Sequence, residues 1–149
     1  MIYLEKGSLG LYQFLSTLSR RLIAIKKFIR TDQAPLPGGA YSQGIVLNGL
    51  LFTAGVGPTD PVSGQLVGTT IEEQTHQVMK NLGAILQSAG FDYSNVVKAT
   101  VHLHDLERDF AGFNQTYQQY FNGDLPVRTT VGSTLKNILV EIDFIAGQG

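Results

Sequence analysis

The chain contains no cysteine. Disulfides, thiolate-held zinc and thiol nucleophiles are thereby excluded, and the composition suits a reducing compartment. Charge is scarce as well: 15% of the residues are Asp, Glu, Lys or Arg, against about 25% in an average domain. The formal net charge is -1, which argues against a general nucleic-acid binder. No apolar run approaches the roughly 20 residues that a membrane helix needs. What is present is the makeup of a globular protein. The chain has 149 residues, 43% of them hydrophobic, which fits one domain with a sizeable core.

The few charges are unevenly placed. Residues 1–31 hold six basic side chains and one acidic, Glu5, whereas the remainder holds five basic and eleven acidic. Such asymmetry marks an appended segment. Leu11, Phe14, Leu15, Leu18 and Leu22 recur there at helical spacing. The segment reads as an organelle transit peptide, an added amphipathic helix packed on the domain, or sequence upstream of a misassigned start. A secretory signal fits less well, because the apolar stretch is interrupted. The expected location is the cytoplasm, or an organelle such as the mitochondrion if the extension is a transit peptide.

Beyond it, Lys27 to Thr31 reads as a short strand, and A-P-L-P-G-G-A as a turn. Gly44–Leu47 and Leu50–Thr53 flank Asn48-Gly49, the strongest short hairpin signal. A Pro/Gly/Asp loop spans 57–68. Thr70 with Glu73 forms a capping box for a helix whose face carries Ile71, Val78, Leu82, Ile85 and Leu86 and which ends at Gly90. Residues 96–103 read as a strand with Val97, Ala99, Val101 and Leu103 on one side. A second helix is expected over about Asp109 to Phe121. A strand containing Arg128 follows, then a turn over 132–137 and a last strand from Ile138 to Ala146. This order predicts an α+β sandwich, a mixed sheet with helices on one face. Its bare face calls for a partner subunit.

Two features of the pattern bear on chemistry. In the last strand, Val140, Ile142, Phe144 and Ala146 point one way, while Leu139, Glu141, Asp143 and Ile145 point the other. The two carboxylates mark either a solvated face or a site. In the second case Glu141 pairs with Arg128 across a hairpin or orients a water, and Arg128 offers a two-point grip on a carboxylate. His102 and His104 share a strand face at a spacing metals tolerate, but no third ligand is evident, so two outward polar residues are the plainer reading. His76 is placed on a helix surface, and the aromatic residues of the second helix are placed in the core.

Several segments occur together in a recognisable order: A-P-L-P-G-G-A-Y-S-Q-G, L-F-T-A-G, Q-V-M-K-N-L-G-A-I-L, V-V-K-A-T-V-H-L, F-N-Q-T-Y-Q-Q-Y-F, P-V-R-T-T-V and I-L-V-E-I-D-F-I-A. From about Lys26 to Ala146 the chain resembles the RidA/YjgF reactive-intermediate deaminase family. The resemblance implies a chorismate-mutase-like α+β fold with a six-stranded mixed sheet and two helices on one face. It makes residues 26–149 a single deaminase domain behind an extension at 1–25. It also implies a homotrimer with sites between subunits, and hydrolysis of enamine/imine intermediates such as 2-aminoacrylate and 2-iminopropionate to 2-keto acids and ammonia. Arg128 would hold the substrate carboxylate, Glu141 would position or activate water, Tyr41 would line the cleft, and Asn114, Ala54, Gly55 and Thr130 would contact substrate.

An imine is already electrophilic, so the reaction asks for no metal, cofactor or nucleophilic side chain. The chain departs from the family pattern at Ala54, Gly55 and Val56, where a serine and then Gly-Gln often stand. It also departs at Thr130, in place of a frequent cysteine, at Ala40, in place of the usual proline before the tyrosine, and in a loop before Glu141 about two residues short. The rival readings are a small-carboxylate-binding regulatory protein and, ranked lower for want of a basic stripe, an endoribonuclease or translation inhibitor.

Overall fold

The computed structural model describes residues 25–148; residues 1–24, on which the expected transit peptide or added helix falls, lie outside the described residues. The elements run β1 (Lys27–Ile29), β2 (Gly44–Leu47), β3 (Leu50–Thr53), α1 (Ile71–Ala89), β4 (Val96–Leu103), α2 (Leu106–Tyr117), β5 (Val127–Gly132) and β6 (Val140–Gly147). The strands form one sheet in the order β1-β2-β3-β6-β4-β5. Every neighbouring pair is antiparallel except β4 with β5. The result is the expected six-stranded mixed sheet, with both helices packed on one face.

Local chemistry accounts for the elements. Asn48 and Gly49 have φ of 52° and 77°, the paired positive values a tight two-residue hairpin turn needs. The Thr70 side chain accepts the Glu73 N–H, and the Glu73 side chain returns to the Thr70 backbone, completing the capping box of α1. The helix stops at Gly90, whose φ of 85° costs a residue without Cβ nothing. Its face of Val78, Met79, Leu82, Ile85 and Leu86 is buried against Leu51, Val101, Ile142 and Phe144 of the sheet. On β6, alternate residues from Val140 to Ala146 are wholly buried while Glu141, Asp143 and Ile145 stand half-buried on the other face. That alternation is the pattern read from the sequence.

Six expectations are corrected. Arg128 and Glu141 do not face each other across a hairpin, because β4 lies between β5 and β6. The β4–α2–β5 unit is a crossover, which lays β5 parallel along the outer edge of β4; residues 133–139 then carry the chain to the other side of β4. Val97 is half-exposed and Val96 takes its place inside, because the β4–β6 register shifts between Val96 and Lys98. The second helix begins three residues earlier than expected, capped by the Asp105 carboxylate on the Arg108 N–H, and passes into a 3-10 turn at Gln118. Its Phe110 is partly exposed rather than core. Finally, β1 ends at Ile29 and β6 starts at Val140.

The helix-free face is partly apolar. Phe28, Ile45, Phe52 and Ile145 stand side by side across β1, β2, β3 and β6. Phe28 is 64% and Phe52 41% exposed, a high figure for neighbouring phenylalanines on a sheet.

Candidate active site

The expected site residues fall into two groups. The first lies at the β5 edge, on the helix side of the sheet. Arg128 pairs in register with Ala99, which is wholly buried under the helices, so the arginine points to that side too. Its Nη2 donates to the Asn114 side-chain oxygen at 2.8 Å. The guanidinium carbon lies 4.9 Å from the centre of the Tyr117 ring, 5.2 Å from Phe113 and 5.9 Å from Phe110. These aromatics and Asn114 occupy positions i, i+3, i+4 and i+7 of α2, one face of a helix. The platform orients the planar cation from beneath and Asn114 fixes one edge of it. A cleft of about 270 Å³ opens beside it, lined by Asn114, Tyr117, Gln118, Leu125, Pro126 and Arg128. Burial pushes the Tyr117 phenol up to about 12, against the opposing pull of the Arg128 charge. Thr130, two residues on along the same face, buries a hydroxyl that finds no hydrogen-bond partner among the described residues.

The second group lies across the sheet. Glu141 pairs with His102 on the helix-free face. Past the end of β3 the chain bulges at Ala54 and Gly55, then rejoins the sheet where Val56 and Ile142 exchange backbone hydrogen bonds of 2.8 and 3.2 Å. The Glu141 carboxylate rests over the bulge: a Cβ on Gly55 would stand 2.5 Å from its Oε1. Tyr41, Ala54 and Gly55 line a second cleft, of about 310 Å³. The half-exposed Tyr41 accepts the Gly38 N–H at its hydroxyl, 3.2 Å away.

Within one chain, then, Arg128 with Asn114 and Thr130 is separated from Glu141 with Tyr41, Ala54 and Gly55, and the two key side chains point to opposite faces. The histidines are engaged elsewhere. His102 Nδ1 is hydrogen-bonded to the Ser133 hydroxyl at 2.6 Å, and His104 Nδ1 accepts the Leu135 N–H at 3.2 Å. Exposed His76 bonds the Tyr120 hydroxyl at 2.7 Å.

Sequence reading missed the aromatic platform under Arg128. Its signal was present in the i, i+3, i+7 spacing, but that spacing also describes plain core. It missed as well the buried amides that hold the Glu141 half in place. Gln74 accepts the Leu139 N–H at 2.8 Å and donates to the Gly68 carbonyl at 3.1 Å. Asn81 donates to the Gly57 and Thr59 carbonyls at 3.1 and 2.8 Å.

Comparison with known proteins bears on this arrangement. The sequence model of the family described as Endoribonuclease L-PSP matches residues 31–148. A rat 2-iminobutanoate/2-iminopropanoate deaminase is 44% identical over 127 residues, 84% of this chain and 92% of the rat protein. A Synechocystis RutC family protein is 48% identical over 124 residues, 80% of this chain and 95% of its own length. The crystal structure of E. coli TdcF with bound serine superposes with a TM-score of 0.78 at 33% identity, covering 83% of this chain and 99% of TdcF. The chain therefore belongs to the endoribonuclease L-PSP family, which is the RidA/YjgF family.

Proposed function

We propose that the chain hydrolyses α-imino acids, and the enamines in equilibrium with them, to 2-keto acids and ammonia. The observation that carries this is the Arg128 guanidinium, held on three aromatic rings and by Asn114, with the cleft beside it open to a ligand. An arginine so oriented presents a fork matched to a carboxylate. The deaminase relatives add support.

The two halves act on one substrate when they come from different protomers. Arg128 and Asn114 of one copy grip the carboxylate, while Glu141 and Tyr41 of its neighbour meet the imine. A homotrimer in which the β5 edge of one copy meets the Glu141 face of the next would bring the halves together, and burial of the helix-free faces in it would cover the Phe28–Ile45–Phe52–Ile145 row. Glu141 holds a water against the imine carbon and takes one of its protons as the C–O bond forms. The same carboxyl returns the proton to nitrogen, giving a carbinolamine; the carbinolamine hydroxyl proton then passes through Glu141 to that nitrogen as the C=O forms and the C–N bond breaks, and ammonia leaves the keto acid behind. No bond to the protein forms.

The test is an imine generated in situ by a dehydratase, with keto-acid release followed for the wild type and Arg128→Ala. Acceleration by the wild type and none by the variant, at equal oligomer size, is the expected result. Near-wild-type rates in Arg128→Ala would sink the assignment. A ligand-dependent melting shift without turnover would mark a binding protein instead.

A further inference from the structure

The bulge beneath Glu141 is not held by the sheet ladder. Pairing of β3 with β6 ends at Phe52–Ile145 and resumes at Val56–Ile142. Residues 53–55 therefore oppose 143–144, with one residue in excess, and such an insertion takes backbone groups away from their ladder partners. Phe144 is wholly buried, so its N–H needs an acceptor inside the protein. The Thr53 side chain supplies it. Its Oγ1 accepts the Phe144 N–H at 2.9 Å and donates its own proton to the Ala54 carbonyl, also at 2.9 Å. The Ala54 N–H in turn donates to the Gln43 carbonyl at 2.9 Å. Both polar groups of the Ala54 backbone are thus tied down. The next residue is Gly55, over which the Glu141 carboxylate rests. The peptide joining the two is planar, so fixing the Ala54 carbonyl fixes the plane in which the Gly55 nitrogen and Cα lie.

We infer that Thr53 is a positioning residue for the reaction: its hydroxyl clamps the bulge so that Gly55 leaves the Glu141 carboxylate its place at the imine. The inference rests on the proposed hydrolysis. Thr53 acts through Gly55 rather than on the substrate, and the carboxylate grip belongs to Arg128 on another strand. Loss of the hydroxyl therefore falls on the chemical step and spares substrate binding. A shift of the bulge by about 1 Å is on the scale that costs up to about 100-fold in rate.

The experiment compares Thr53→Val, which removes the hydroxyl at nearly constant shape, with Thr53→Ser, which keeps it. Imines are generated in situ by a dehydratase. Thr53→Val is expected to lower kcat about 10- to 100-fold with KM close to wild type, and Thr53→Ser to retain most of the rate. Rates are taken well below each melting temperature and at equal oligomer size, because an unpaired Phe144 N–H also weakens the fold. The 13C carboxyl resonance of Glu141 gives a reading that needs no substrate. It is expected to move in Thr53→Val and to stay in place in Thr53→Ser. The inference is overturned, and the hydrolase reading left intact, by wild-type kcat or an unmoved Glu141 resonance in folded Thr53→Val, by a defect confined to KM, or by a Thr53→Ser as impaired as Thr53→Val. Absence of turnover in the wild type overturns both.

Discussion

Gly55 shows how much a single residue can decide. It sits at the bulge after β3, and any side chain there would enter the space of the Glu141 carboxylate. Gly55→Ala need not disturb the fold, because the group that must move is the flexible end of a glutamate. The displacement would be on the scale that costs about 10- to 100-fold in rate. We expect kcat for imine hydrolysis to fall by that much, with KM nearly unchanged and melting within a few degrees of wild type; steady-state kinetics and calorimetry check it. Legibility was uneven at this scale. Arg128 stood out because a lone charge in a β-branched run of a charge-poor chain demands a reason. Gly55 carried no such signal, since its role depends on a carboxylate some 86 positions away in sequence that only the sheet register brings over it. The aromatic neighbours of Arg128 were equally silent, because a helix face of aromatics reads as core whether or not a cation rests on it.

At the level of elements, the sheet was readable and its order was not. Alternation on β4 and β6, the Asn48-Gly49 turn and the capping box at Thr70 are local patterns, and they locate strands and helices directly. The insertion of β6 between β3 and β4 is a long-range choice. It follows from the crossover that sends β5 to the outside of β4, and a short 128–141 connection looked just as compatible with a hairpin. The helix α1 does more than cover the sheet. Its buried amides, Gln74 and Asn81, bond the backbone on either side of the Glu141 half-site. Asn81→Leu would leave the Gly57 and Thr59 carbonyls without those partners. A loss of about 2–3 kcal/mol is expected, seen as a lower midpoint in chemical unfolding at unchanged slope, together with reduced turnover.

For the whole molecule, the consequences lie on the helix-free face. Phe52→Glu places a charge in the apolar row across β1, β2, β3 and β6. The expected outcome is a monomer by light scattering, without imine hydrolysis but with native far-UV dichroism. Asp143 lies on the same face, and burial pushes its carboxyl above the ordinary value, with the Thr100 hydroxyl and nearby His102 and Lys98 only partly offsetting the shift. A raised carboxyl favours the fold while protonated. That contribution is full below the ordinary carboxylate range and is lost as pH climbs through the raised value. Asp143→Asn should therefore raise the melting temperature more at about pH 7 than at about pH 4, a comparison two thermal scans provide. The position of β6 has a consequence of another sort. It alone ties β1–β2–β3 to β4–β5, yet of the six strands it is made last. Until β6 has docked, β1–β2–β3 and β4–β5 are two sheet fragments whose inner edges are unsatisfied and able to capture strands from neighbouring chains. The hazard of this fold is thus concentrated in the chain whose last strand has not yet paired, and docking of β6 removes both exposed edges at once.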